Sequence, residues 1–273
     1  MIQAIVEYQF MRNAVLAGMM ASVVCGLMGV VIIEKKLVMM SGGIAHTSYG
    51  GVGLGYLLGF EPIIGAFAFS VLAALGVGAI KRRGMARSDV VISLFWSLGM
   101  ALGILFIALM EGYPPDLSSY LFGSILSVTR LDLMFIVALT AVVLVAVLVL
   151  FADWKAYLFD DEFAGIIGVN VAFLEYLLMV LIALTVVVLI RVVGIILVLA
   201  LLTAPAATAA LFTVRLKTRM AVATALGAAY TLAGLWLSYE IDIASGAAIV
   251  IFSVLCYLIG YSVRAVYERR RSV

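Results

Sequence analysis

Apolar residues run along the chain in long blocks, near 13–33, 38–60, 63–80, 89–110, 131–151, 171–190, 193–213, 220–238 and 244–263. Each block approaches the ~20 residues that an α-helix needs to cross a hydrocarbon core. A segment in lipid must satisfy its backbone hydrogen bonds internally, so blocks of this length predict helices. The pattern therefore predicts an all-α, polytopic transmembrane helix bundle of about eight or nine spans. Short polar clusters separate the blocks, and only the one at 151–170 is long. The loop "EGYPPDLSSYLFGSILSVTR" (111–130) contains a semi-apolar "SYLFGSIL" too short to span, which is expected to dip back into the protein.

Threading alternate loops to opposite sides places nearly all basic residues on one face: Lys35, Lys36, the cluster at 81–87, Lys155, the cluster at 215–219 and the tail at 264–271. Of the 17 lysines and arginines, only Arg12, Arg130 and Arg191 fall on the other. By the positive-inside rule the crowded face is cytoplasmic, which predicts an outside amino terminus and a cytoplasmic carboxyl terminus. One missed span upstream would scatter the cations to both sides, so the asymmetry also supports the span count. Glu7 and Arg12 precede a full-length span with no short apolar core and small-residue cleavage site, so that span is expected to be retained.

Composition agrees and excludes much: 66% of residues are apolar, 12% are charged, and the net charge is +2. With 273 residues and that many spans, the chain is one transmembrane domain, 1–273, with no room for a soluble catalytic domain. There is no G-x-x-x-x-G-K-[ST] phosphate cradle, so any ATP used must be bound by another polypeptide. Nor is there an H-E-x-x-H, a C-x-x-C or a nucleophile elbow, and no enzymatic activity is expected. Cys25 and Cys256, far apart in apolar runs, read as packing residues rather than a disulfide.

Three stretches carry candidate chemistry. "SGGIAHTSYGGVGLGYLLG" (41–59) holds His46, the only histidine, followed by Thr47, Ser48 and Tyr49. An ionisable side chain at membrane depth is expected to face the bundle interior or a water-filled path, and neutral imidazole is a good ligand for borderline metals. A hydrogen bond from His46 to a neighbouring helix is the other reading of the same residue. Gly51, Gly55 and Gly59 recur every four residues, placing a small-residue packing stripe on one helix face. In the loop 153–170, "FDDEFAGIIGV" sets Asp160, Asp161 and Glu162 at the start of a short amphipathic helix, with Phe163, Ile166 and Ile167 as an apolar face. Such a face rests either on lipid or on a partner. In "VVGIILVLALLTAPAATAALF", Pro205 removes a backbone donor, which predicts a kink or break, structural or part of a gating path.

Together these segments resemble the integral membrane permease of ABC-type zinc/manganese uptake systems. The resemblance covers nearly the whole chain. It rests on the His-bearing segment at 41–59, "SYLFGSILSVTRLDL" (119–133), "FDDEFAGIIGV" (159–169), "VGIILVLALLTAPAATAALF" (193–212) and "LSYEIDIASGAAIVI" (237–251), in this order. It implies a type II ABC importer-like bundle in a prokaryotic inner membrane, forming a homodimer with the metal path at its axis. A separate ATPase is implied on the cytoplasmic side, a metal-binding protein outside, and no nucleic acid. The acidic helix then becomes a coupling helix for the ATPase through Asp160, Asp161, Glu162, Phe163, Ala164, Gly168 and Val169. His46 matches the family's metal-contacting histidine, with Thr47, Ser48 and Tyr49 as helpers. The cargo implied is zinc or manganese, with no permanently bound cofactor.

The chain departs from the family at one place. Where the family commonly reads "GDALSHA", Gly42 stands four residues before His46 in place of an aspartate, one helical turn away. Imidazole with neutral oxygens is a weaker site than one with carboxylates, so a weak transit site is expected, because a conduit must release what it binds. A metal chelate such as haem, a siderophore or a corrinoid is the alternative cargo. A secondary transporter is the alternative mechanism, but most acids lie at span ends or in loops rather than forming a relay.

Overall fold

The computed structural model describes residues 7–82, 88–112, 123 and 125–271. Among these, the helices in chain order are α1 (Gln9–Glu34), α2 (Val38–Leu58), α3 (Pro62–Arg82), α4 (Ser88–Ala108), α5 (Arg130–Val149), α6 (Phe151–Phe159), α7 (Asp161–Ile166), α8 (Val171–Val193), α9 (Ile195–Phe212), α10 (Leu216–Ile241) and α11 (Ser245–Arg271). Nine of them match the nine apolar blocks. Eight are long and apolar enough to cross a membrane. The ninth, α2, has the length but carries Ser41, His46, Thr47, Ser48 and many glycines, which lower its hydropathy. A helix this polar is poorly suited to lipid and belongs inside a bundle.

The packing is consistent with that expectation. Helix α2 lies against α3 and α4, while α1 lies against α5, α9 and α10, and α11 covers α9 and α10. Helix α8 joins the two groups by touching α2, α3 and α5. Helices α1, α8 and α9 are the most buried spans, whereas α4, α5 and α11 present most of their surface outward. Apolar side chains on those outer faces, such as Leu94, Leu98, Val145, Leu148 and Ile259, suit a hydrocarbon surround.

Small residues let the α2 group close up. A methyl group built on Gly51 would collide with the carbonyl of Gly65 on α3, and one on Gly65 would collide with that of Gly51. Gly55 meets Pro62 in the same contact. Gly59 does something else: at φ 73° it ends α2 in the left-handed conformation and turns the chain into α3, with open space where a Cβ would stand. Gly51→Ala is expected to force α2 and α3 apart and cost about 2–3 kcal/mol by overpacking. The check is the thermal midpoint of the purified protein in detergent; an unchanged midpoint would mean that the contact is not needed.

The two ends of the bundle differ in charge. At one end Lys35 pairs with Asp161, Arg219 with Glu34, and Lys81 Nζ with Glu175 Oε1 at 3.1 Å. At the other, Arg191 on α8 donates from Nε to Asp132 Oδ1 at 2.6 Å and from Nη1 to Glu61 Oε1 at 2.8 Å. Asp132 also forms a capping box with Thr129 at the start of α5. One guanidinium therefore ties α5 and α8 to the turn that follows α2.

The structure refines several of the expectations. Helix α9 runs unbroken through the buried Pro205, so no break occurs there. The apolar block at 131–151 ends at Val149, and a separate helix, α6, follows with Trp154 and Tyr157 buried. The acidic helix spans six residues, Asp161–Ile166, and not the whole of 160–169. The expected dip at 119–126 lies mostly outside the described residues; of what is described, Gly123, at φ 55°, lies against Gly194, and Ile125–Ser127 is one 3-10 turn with Ile125 buried in the core. Cys25 and Cys256 are both free thiols.

Candidate functional site

His46 lies near the middle of α2, half-buried, with its ring stacked on Trp96 of α4 at a centroid distance of 4.2 Å and 8° between planes. The stack is held by the fit of α2 to α4. A methyl group on Gly43 would press into Ile92, one on Gly53 would meet the backbone of Gly103, and one on Gly99 would meet the backbone of Thr47. The imidazole is thus fixed by its neighbour rather than by a hydrogen bond: Nδ1 is buried and has no hydrogen-bond partner.

The residues after His46 point elsewhere. Thr47 Oγ1 lies 2.8 Å from the carbonyl of Gly43 and 3.1 Å from that of Phe95. Ser48 Oγ donates to the carbonyl of Ala45 at 2.6 Å. Tyr49 is 4% exposed and lies against Gly103. The hydroxyls of Thr47 and Ser48 both serve backbone carbonyls, and of the four residues His46 alone retains partial exposure. One turn back, a Cβ on Gly42 would meet nothing closer than Leu199 and Trp96, each at 4.0 Å. A Cβ is therefore accommodated where the aspartate is missing. Among the described residues, no three of His, Cys, Asp and Glu gather where they would hold a metal ion. Trp96, which sequence reasoning missed, sits fifty positions away on another helix, and nothing near it in the chain signals the pairing.

The second site is the short α7. Asp160 caps it, its Oδ1 accepting from the backbone N–H of Phe163 at 2.9 Å. Asp161 and Glu162 occupy the first turn, where the helix dipole favours acids. Ala164 is fully buried against the bundle, while Phe163, Ile166 and Ile167 face outward, with Ile166 82% exposed. Gly168, at φ 90°, turns the chain back, and Val169 packs on the core. Beside α7 is a cavity of about 610 Å³ whose lining includes Phe159, Phe163, Val214, Lys155 and Arg215. On α6, Tyr157 is buried, and that burial, with Glu175 and Asp161 nearby, pushes its phenol well above the ordinary range.

Comparison with known proteins places this architecture. The chain is 42% identical over 264 residues to an uncharacterized membrane protein of Synechocystis sp., covering 97% of this chain and 94% of that one. It is 33% identical over 260 residues to the manganese transport system membrane protein MntC of Listeria monocytogenes, with 95% and 92% covered. Among solved structures it is similar to PsaBC from Streptococcus pneumoniae in complex with Fab. That match has a TM-score of 0.85 at 33% identity, with 95% of this chain and 94% of that chain covered. A model of the ABC 3 transport family matches residues 7–264, nearly the whole bundle, and the chain belongs to that family as a membrane-embedded permease component.

Proposed function

We propose that this chain is the translocation subunit of an importer for a divalent transition metal, manganese before zinc, acting as a homodimer and driven by a separate ATPase. The observation that carries the reading is His46: the only imidazole of the chain, half-exposed, unpaired at Nδ1, and set in the helix least suited to lipid. Among the described residues, one copy gathers no set of metal-ligating groups. Two copies across an axis would pair the imidazoles, which is why a dimer is part of the proposal. Manganese takes precedence because the Listeria relative, alike over nearly its full length, is a manganese transport protein. On this reading the end rich in Lys and Arg is cytoplasmic, and α7 with its exposed Phe163, Ile166 and Ile167 meets the ATPase there. A binding protein delivers the ion on the opposite side.

Gly42, in the place of a carboxylate, supports a second cargo, a metal chelate rather than a bare ion. Proteoliposomes holding the chain with its candidate ATPase, and the binding protein outside, separate these readings. ATP-dependent uptake of labelled manganese exceeding that of zinc is the expected result. Stimulated ATP hydrolysis with uptake of neither ion would transfer the proposal to a chelate, and uptake without nucleotide would point to a secondary transporter.

A further inference from the structure

The end of α1 is gripped from two sides. Its C-cap residue, Lys35, carries its ammonium 3.6 Å from the centroid of the Tyr157 ring on α6 and pairs with Asp161 on α7. The residue before it, Glu34, pairs with Arg219 on α10. Lys36 follows in the left-handed conformation at φ 56°, so α1 ends at its C-cap Lys35. Helix α7 has six residues and packs chiefly on α6, with the buried Ala164 and a smaller contact to α8 completing its seat. Helix α1 is among the most buried spans and touches α5, α8, α9 and α10.

We propose that Lys35 is a positioning residue that fastens α7 to α1, so that a displacement of α7 reaches the centre of the bundle instead of being absorbed by the loop around it. The proposal rests on the reading of α7 as the ATPase-facing helix and adds the route by which its movement is passed on. The geometry suits that task. The Lys35 side chain is 13% exposed and confined between an aromatic face and a carboxylate, so it resists both separation and sliding. Asp161 is 55% exposed, and an ion pair with one such partner adds little to stability. Loss of the fastening should therefore affect transmission more than folding.

The test uses the full complex in proteoliposomes, with ATPase binding, ATP hydrolysis and labelled manganese uptake measured on the same preparation. Lys35→Met keeps the apolar stem and removes the charge. It is expected to bind the ATPase and hydrolyse ATP as the parent does, while ions taken up per ATP fall about tenfold, within the range of coupling energies set by intervening residues. Lys35→Arg, which restores both the ion pair and the ring contact, should recover the ratio. Should Lys35→Met fail to assemble, Lys35→Gln, polar but neutral, takes its place in the same measurement. An unchanged ratio, or a fall matched by lost ATPase binding, would overturn the proposal. Phe163→Asp serves as the control for the underlying reading: parental uptake in that variant would remove α7 as the docking helix, whatever Lys35 does.

Discussion

Phe163→Asp is expected to abolish ATP-driven uptake while leaving the bundle folded. Phe163 is 51% exposed, and its backbone N–H is held by Asp160, so the new carboxylate would project outward without disturbing the cap. It would also sit in the first turn of α7, where a negative charge is favourable to the helix. At an interface the same charge is unpaired and must be stripped of water, a cost of about 3–5 kcal/mol, which amounts to a loss of more than about a hundredfold in productive docking. Uptake by the reconstituted complex, with size-exclusion behaviour as the folding control, measures this. Parental uptake would show that the exposed face of α7 meets lipid instead. Ala164, its neighbour, is a poor probe of the same idea. It is fully buried, so a charge there would break the packing of α7 on the bundle before any docking was tested.

His46→Ala is expected to reduce metal uptake by at least about 10–100-fold, the range seen when even the outer partners of a metal ligand are removed. On the proposed reading, assembly with a second copy and with the ATPase should remain. The imidazole makes no hydrogen bond through Nδ1, and the stack on Trp96 is worth only about 0.5–1.5 kcal/mol, so its loss is a modest structural change. Initial rates of labelled manganese uptake, compared with thermal midpoints of the same preparations, separate the two effects. Normal uptake would reduce His46 to a packing residue and remove the main support for a metal path through α2.

Much of the architecture was legible in the order of residues. Nine apolar blocks became nine long helices because a chain in hydrocarbon has no partner for its backbone except itself, and length with apolarity then suffices to place a span. The capping acids and outward apolar face of α7 were legible for a similar reason: cap and dipole effects act within one turn. The stripe at Gly51 and Gly55 marked a close approach of helices, and the close neighbour proved to be α3.

What the chain alone did not reveal depends on contacts between distant segments. The contact of Thr47 with the carbonyl of Phe95 follows from how α2 seats on α4. The same seating brings Trp96 onto His46, and no local pattern encodes a stack across fifty residues. Helix α6 was hidden inside the polar cluster at 151–170, and the burial of Trp154 and Tyr157 shows it as an element of its own. Lys35 read as one of many cations on a crowded face until the fold set it between Tyr157 and Asp161. Sequence by itself determined which segments lie in the membrane and where the charges fall, since both follow from solvent and short-range geometry. Tertiary structure alone decided which polar groups stay unpaired and which charges bind two helices together, because those depend on partners brought close only when the helices pack.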